Sequence, residues 1–128
     1  MPNQVVIIED HEDAREALVV CLRSLGLQVA GAANGAAGLR LAIDEHPSVI
    51  IVDISLPDAS GYDIARRIRA ECGPEPFLIA LTGHSRNGDR EEARDAGFDR
   101  LVRKPADPDT IGRLVRDALT PSPGTGAA

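Results

Sequence analysis

Five side chains that can take part in chemistry follow short apolar segments of the chain: Glu9, Asp10, Asp53, Thr82 and Lys104. Three carboxylates that meet repel one another, and a hard divalent cation with oxygen ligands removes that cost. Mg²⁺ suits such a site because it accepts one or two carboxylates, keeps several waters and leaves room for phosphate oxygens. An aspartate can also act as a nucleophile and form an aspartyl phosphate. The residue types therefore favour a magnesium site with room for a phosphoryl group, provided that the fold brings them together.

Lys104 is the only lysine among the 14 basic residues of the chain. Its ammonium is a compact point charge that can contact a carboxylate and then a phosphoryl oxygen. Each candidate also has an ordinary structural alternative. Glu9 or Asp10 could cap a helix, and Asp53 could do the same or lie in a loop. Thr82 could stand in a turn, and Lys104 could be a solvated charge, so the interpretation depends on all five side chains meeting.

The apolar residues of segment 4–119 alternate between two spacings. Continuous apolar segments predict strands at 5–8, 49–52 and 77–81, of which the first two consist of β-branched residues. A weaker strand is predicted at 27–33, and a short fifth strand is centred on residues 101 and 102. Apolar residues spaced three and four apart predict helices through 14–25, from 60 or 61 onward and over 108–119. Helices are also predicted over 35–45, which His46-Pro47 ends, and over the polar segment 86–96, which Gly97 ends. Asn34 can cap the second helix, and Asp107-Pro108 is typical of the start of the fifth.

Five strands that alternate with five helices predict a parallel sheet with helices on both faces. Right-handed crossovers leave few topologies, and five such units fit the flavodoxin-like, doubly wound α/β fold with strand order 2-1-3-4-5. Ligands of such an open sheet bind beyond the carboxyl ends of its strands. Strands 1, 3, 4 and 5 are neighbours in this order, and each leads to one or two of the five candidate side chains.

Length and composition limit the classes of function. The 128 residues suffice for one domain, which we expect over residues 1–119, followed by a flexible tail or linker at 120–128. A net charge of −6 and an aromatic content of 2% argue against nucleic-acid binding by this domain. Apolar segments fall well short of the roughly 20 residues that cross a bilayer. We therefore predict a cytoplasmic domain with no membrane contact.

The motifs of this chain resemble those of the receiver domain of two-component response regulators. The resemblance rests on segments 6–10, 52–57 with Gly61, 80–83, 96–99 and 104–105. Their order and spacing match across residues 4–119. The segment 97–107 also resembles, more weakly, receivers attached to hybrid sensor histidine kinases. The resemblance implies a phosphoacceptor signalling switch that changes its output surface, with an output partner that the sequence does not name.

The resemblance also implies a role for each site residue. Asp53 would accept a phosphoryl group from a sensor histidine kinase or a histidine phosphotransfer protein. Mg²⁺ would be held by Glu9, Asp10 and Asp53, with the backbone carbonyl of Ser55 as a further ligand.

The remaining roles concern the phosphoryl group itself. Lys104 would bridge Asp53 and then the phosphoryl group, and Thr82 would swing inward to donate a hydrogen bond to it. The Lys104-Pro105 peptide bond would be cis. Such a domain would catalyse its own phosphorylation and dephosphorylation and would not otherwise be an enzyme.

One position departs from the family pattern. The family usually has a tyrosine or phenylalanine three residues before the lysine, whose rotamer follows the threonine, and this chain has Leu101. We therefore predict that output uses the backbone of segment 86–106 and the packing of Leu101. His84 follows Thr82 by two residues, either as an exposed loop residue or as a group that tunes access of water to the acyl phosphate.

Two other classes compete with the phosphorylated switch. A Mg²⁺-dependent phosphohydrolase also forms an aspartyl phosphate, but such enzymes resemble one another in a second aspartate two residues after the nucleophile, where this chain has Ser55. The other class is an interaction module that takes no phosphate, and the intact set of site residues argues against it.

Overall fold

The β-branched segments form the central layer of the protein, a parallel sheet. The computed structural model describes residues 3–83 and 89–120. Its strands are β1 Val5–Ile8, β2 Val29–Ala32, β3 Val49–Asp53, β4 Phe77–Thr82 and β5 Arg100–Arg103. They pair in the order β2-β1-β3-β4-β5, all in parallel. The predicted flavodoxin-like fold and its strand order are therefore confirmed.

Five helices cover the two faces of the sheet. They are α1 Glu12–Ser24, α2 Gly35–Glu45, α3 Gly61–Cys72, α4 Asp89–Ala96 and α5 Pro108–Leu119. Every residue of β1 and β3 is buried, and alternate residues of each strand enter different cores. One core lies under α2, α3 and α4 and includes Ile8 and Val52, and the other lies under α1 and α5 and includes Ile7 and Ile51. Burial on both faces explains the continuous apolar segments.

The helix starts agree with the capping residues that the sequence offers. Asn34, Ser60 and Asp107 each accept a backbone N–H of the first turn that follows. For α1 the sequence offers Glu9 or Asp10 as the capping residue. In the structure His11 caps α1, since its side chain accepts a hydrogen bond from the amide of Ala14 at 3.2 Å. The N-cap residue of α1 is therefore His11 rather than Glu9 or Asp10, and Glu9 Oε2 accepts the amide of His11 at 3.4 Å.

Arg69 of α3 fixes the approach to β5. Its guanidinium donates to the carbonyl oxygens of Pro76 at 2.7 Å and Gly97 at 2.8 Å, and to Asp99 Oδ2 at 3.0 Å. Asp99 Oδ2 also accepts the amide of Leu78 at 2.9 Å. These bonds join the start of β4 to the turn before β5, so that the last strand enters the sheet in register.

Parts of some predicted segments lie outside the described residues. His84 and the first residues of the predicted fourth helix fall in 84–88, and most of the predicted tail falls in 121–128. None of the described helices combines the length and the apolar character that a membrane span requires.

Substitution of Gly38 tests the packing of α2 on the sheet. A methyl group at Gly38 would lie closer than 3.0 Å to the fully buried side chain of Ile8, whereas one at Gly112 of α5 would lie 3.3 Å from the tip of Leu25. We expect Gly38→Ala to lower the free energy of unfolding by about 1–3 kcal/mol because the core is overpacked.

Gly112→Ala is the matched control, because alanine favours the helix by roughly 1 kcal/mol at both positions. We expect this control to be neutral or stabilising in urea denaturation. Equal stability of the two variants would contradict the packing of α2 described above.

Candidate functional site

The candidate site lies where four neighbouring strands end at one edge of the sheet. Glu9 and Asp10 follow β1, Asp53 and Thr82 are the last residues of β3 and β4, and Lys104 follows β5. The structure therefore places the five residues that the sequence singles out at one edge of the sheet, with Asp53 and Thr82 inside their strands rather than after them.

Backbone hydrogen bonds continue the sheet to this edge. The amide of Glu9 donates to the carbonyl of Ala32 at 3.0 Å, that of Ile54 to Leu81 at 2.9 Å, and that of Lys104 to Thr82 at 2.7 Å. The backbone is thus fixed at each position that presents a functional side chain, which limits how far the carboxylates and the ammonium can move.

Lys104 forms ion pairs with two buried carboxylates. Its Nζ lies 2.7 Å from Glu9 Oε1 and 3.0 Å from Asp53 Oδ2. Glu9 is fully buried and Asp53 is 2% exposed, whereas 29% of the Lys104 side chain is exposed. Buried carboxylates are costly without a counter-charge, so the ammonium accounts for their position at the end of an apolar sheet.

Burial and charge separate the acid strengths of the two carboxyl groups. Burial and then contact with Asp53 raise the pKa of Glu9 to about 7. Burial acts in the same direction on Asp53, but contacts with Glu9, Lys104 and the amide of Ser55 outweigh it and lower its pKa. Asp53 is therefore the carboxylate that remains ionised, as a nucleophile must be.

Three acidic side chains can share one cation. A carboxylate oxygen from each of Glu9, Asp10 and Asp53 lies within 4.8 Å of the others. Among the described residues, Glu9 Oε1 is the buried side-chain oxygen that accepts no well-aligned hydrogen bond, although the Lys104 ammonium lies 2.7 Å away as an ion pair. An all-oxygen donor set with unused acceptor capacity fits a hard divalent cation, so the residues present could hold a metal.

The loop after β3 carries Ser55. Its amide donates to Asp53 Oδ1 at 3.0 Å, and Ser55 pairs with Ser60 in an isolated antiparallel bridge. The amide of Gly61 closes the loop by donating to the carbonyl of Ile54 at 2.8 Å. A Cβ at Gly61 would lie 2.5 Å from the Asp53 carbonyl oxygen, which explains the glycine of this motif.

Two further positions concern the response of the site. Thr82 is 7% exposed, and the Lys104-Pro105 bond is cis, as the resemblance implies. Leu101 pairs in register with Ala80 and packs against the core under α2, α3 and α4. It is partly buried, so the position that departs from the family pattern touches both the core and the surface.

Arg15 contributes to the site without having been predicted from the sequence. Its Nη1 donates to the carbonyl of Glu9 at 2.9 Å, and its alkyl stem covers Gly31, where a Cβ would lie 3.1 Å from Arg15 Cδ. This arginine of α1 therefore holds the turn that carries both Glu9 and Asp10. The signal available in the sequence was the small residue at position 31 of a strand, which leaves room for a long side chain.

A cavity of about 600 Å³ reaches the site from one side. Its lining includes the charged residues Glu9 and Lys104 and the apolar residues Leu18, Leu81 and Pro105.

A doubly wound sheet with an acidic cluster and a lysine at its carboxyl edge defines a flavodoxin-like domain of the receiver class. Residues 5–116 match the response regulator receiver domain family, so the chain belongs to that family, as its motifs predict. Chemotaxis protein CheY4 of Vibrio cholerae has the same fold, with a TM-score of 0.85 at 22% identity over 93% of this chain and 100% of that one.

Two relatives illustrate the range of the family. An uncharacterized 14.6 kDa protein of Leptolyngbya boryana is 32% identical over 113 residues, which cover 88% of this chain and 86% of that protein. Transcriptional regulatory protein KdpE of Mycobacterium tuberculosis is 35% identical over 115 residues, which cover 90% of this chain and 50% of KdpE. This chain thus spans about half the length of KdpE.

Replacement of Lys104 tests the dependence of the buried carboxylates on its charge. We expect Lys104→Met to lower the free energy of unfolding at neutral pH by about 1–3 kcal/mol, because Glu9 and Asp53 lose their cation. The loss stays below that for a fully buried pair because Lys104 reaches solvent and Glu9 can take up a proton. Arg100→Met, which removes the same charge from an exposed position of β5, is the control in urea denaturation. An equal effect of the two substitutions would show that the ion pairs contribute nothing.

Proposed function

We propose that this domain is a phosphoacceptor switch in which Asp53 takes a phosphoryl group from a phosphohistidine. Response regulator receiver domains are signalling switches of two-component systems, and response regulators partner with histidine kinases. The observation that carries the proposal for this chain is the position of Asp53. Its carboxylate is buried and favours the ionised form, and its Oδ2 lies 3.0 Å from the only lysine ammonium of the chain.

The proposed transfer is a displacement at phosphorus. An Asp53 carboxylate oxygen bonds to the phosphorus atom as the bond from phosphorus to the donor imidazole nitrogen breaks. The electron pair of that bond returns to the imidazole, which is the leaving group. The product is an acyl phosphate on Asp53, and hydrolysis of this bond by water returns the domain to its starting state.

The side chains around Asp53 would support this transfer by charge and position. Glu9, Asp10, Asp53 and the backbone carbonyl of Ser55 would hold Mg²⁺, which neutralises negative charge on carboxylate and phosphoryl oxygens when bound. Lys104 would exchange part of its contact with Asp53 for a phosphoryl oxygen, since a point charge serves either partner. Thr82, at the end of the adjacent strand, would donate a hydrogen bond to the phosphoryl group.

The donor would be a sensor histidine kinase or a histidine phosphotransfer protein. We propose that it docks on the surface of α1 around Glu12, Asp13, Arg15 and Glu16, next to the cavity that reaches Lys104. Val20 of the same helix is 60% exposed and adds an apolar contact. A donor with basic residues around an apolar strip would match this surface.

The output would pass through Leu101 and the segment 86–106. The amide of Lys104 donates to the carbonyl of Thr82 at 2.7 Å, and Leu101 lies on β5 three residues before Lys104. We propose that movement of Thr82 and Lys104 shifts β5 and the packing of Leu101, which borders a cavity of about 330 Å³ beside α4. The output partner or domain would recognise this surface.

The receiver would comprise residues 1–119, with 120–128 as tail or linker. Its cytoplasmic location and its lack of nucleic-acid and membrane contacts stay predictions.

Intact mass measurement tests the phosphoacceptor. After incubation with acetyl phosphate and Mg²⁺, we expect the wild-type chain to gain the mass of one phosphoryl group, and Asp53→Asn to gain none. Asp63→Asn, at an exposed position of α3, is the control and should behave as wild type. A gain that persists in Asp53→Asn, or that needs no Mg²⁺, would contradict the proposal. No gain in the wild type would favour the interaction module.

Hydrogen exchange tests the output route. With Mg²⁺ and beryllofluoride, which mimics a phosphoryl group, we expect exchange to change in α4, β5 and the following loop more than in α2. The reason is that the proposed movement begins at Thr82 and Lys104. Asp53→Asn should show no change, because it lacks the carboxylate that binds the mimic. Equal exchange of segment 86–106 with and without the mimic would contradict the route through Leu101.

A further inference from the structure

The start of α2 obtains part of its capping from another part of the chain. An α-helix begins with four N–H groups that have no partner within the helix, and the first turn of α2, Gly-Ala-Ala-Gly, has no polar side chain to offer. Asn34 serves one of them, because its Oδ1 accepts the amide of Ala37 at 2.8 Å, whereas its carbonyl accepts the amide of Gly38 at 3.1 Å as the first regular bond of the helix. Within the helix, the N–H groups of Gly35 and Ala36 remain.

Asp58 serves these two remaining groups. Its Oδ1 accepts the amide of Gly35 at 2.8 Å, and its Oδ2 accepts the amide of Ala36 at 3.0 Å. The first turn of α2 contains no acidic residue, so Asp58 also supplies the negative charge that favours a helix N-terminus. These two hydrogen bonds lower the pKa of Asp58, which keeps the carboxylate ionised.

Asp58 belongs to the loop that leaves the candidate phosphorylation site. It follows Asp53 by five residues and Ser55 by three. The base of this loop is closed by the contact of Gly61 with Ile54 and the bridge of Ser55 with Ser60. Beyond that base, Asp58 joins the loop to α2, so both of its carboxylate oxygens connect the site to a packed helix.

The contact has little freedom to slide. A Cβ at Gly35 would lie 2.8 Å from Ile64 Cδ1 of α3 and 3.2 Å from Asp58 Oδ1. Gly35 is therefore buried between the loop and α3, and its amide is presented at close range. Asp58 itself is exposed, so its position depends on the two hydrogen bonds to α2 rather than on burial of its side chain.

We propose that Asp58 is a positioning residue for the divalent cation site. Its double hydrogen bond to α2 holds the loop that carries Ser55, and thereby the backbone carbonyl of Ser55 and the carboxylate of Asp53, in the arrangement that binds Mg²⁺. This inference rests on the proposed function, since it concerns the same cation. Asp58 would thus contribute to metal affinity, although it contacts neither the metal nor the phosphoryl group.

The chain offers a matched control for this role. Asn34→Ala removes a cap from the same end of α2 and leaves the loop after β3 untouched. Asp58→Ala also removes capping of α2, and it frees the loop as well. If Asp58 acts only on the helix, the two substitutions have the same consequences. If it positions the loop, only Asp58→Ala weakens metal binding.

Calorimetric titration with Mg²⁺, together with urea denaturation, separates the two cases. We expect both variants to unfold at lower urea concentration than wild type, since each loses a cap. We expect Asp58→Ala to bind Mg²⁺ about tenfold more weakly, the size of effect typical of residues that support metal ligands, and Asn34→Ala to stay within about twofold of wild type. Repetition at about 0.5 M salt checks for a long-range charge effect, because salt screens that effect and leaves loop geometry in place.

The possible outcomes decide the proposal. Weaker binding that is specific to Asp58→Ala and persists in high salt supports it. Equal Mg²⁺ affinity of the two variants, or a loss that disappears in high salt, overturns it while the wild-type site stands. A wild-type chain that binds no Mg²⁺ would overturn the proposed function and this inference with it.

Discussion

The ion pairs of Lys104 with Glu9 and Asp53 are the interaction on which the rest of the site depends. A parallel sheet that is buried on both faces offers little water to the carboxylates at its edge, and two of them lie almost entirely inside the protein. The ammonium offsets the free-energy cost of this burial. Burial also raises the pKa of Glu9 to about 7, so Glu9 can take up a proton near neutral pH. The same arrangement keeps Asp53 ionised beside a charge that a phosphoryl oxygen can also use. Structural stability and the proposed chemistry thus draw on one cluster of charges.

The surrounding elements work to hold that cluster in place. Parallel pairing brings the carboxyl ends of β1, β3, β4 and β5 to one edge, and three backbone hydrogen bonds continue the pairing to the functional residues. Connections from outside the sheet then fix the turns, with Arg15 on the carbonyl of Glu9 and Asp58 on the start of α2. The turns at this edge are therefore held by α1 on one face of the sheet and by α2 on the other, so the proposed metal site and the packing of these helices share the same contacts.

Most of the fold and the members of the site could be predicted from the sequence, because both follow from local patterns. Continuous β-branched segments mark strands covered on two faces, and polar residues at their ends mark the edge where ligands bind. The structure confirms the strand order and brings together Glu9, Asp53 and Lys104. What could not be predicted depends on contacts between distant segments. His11 rather than an acidic residue caps α1. Arg15 and Asp58 bond to the backbone of distant residues, and every residue has a backbone, so the sequence does not show which one is contacted.

The central claim is that the phosphoryl group is carried by Asp53 as an acyl phosphate, and chemical mapping of the modified residue tests it most directly. Borohydride reduces an aspartyl phosphate to homoserine, so peptide mass spectrometry of the phosphorylated and reduced chain locates the acceptor. The account predicts homoserine at position 53, formed only when both phosphodonor and Mg²⁺ were present. Homoserine at another aspartate, or a phosphoryl group that resists reduction and lies on a different type of side chain, would contradict it.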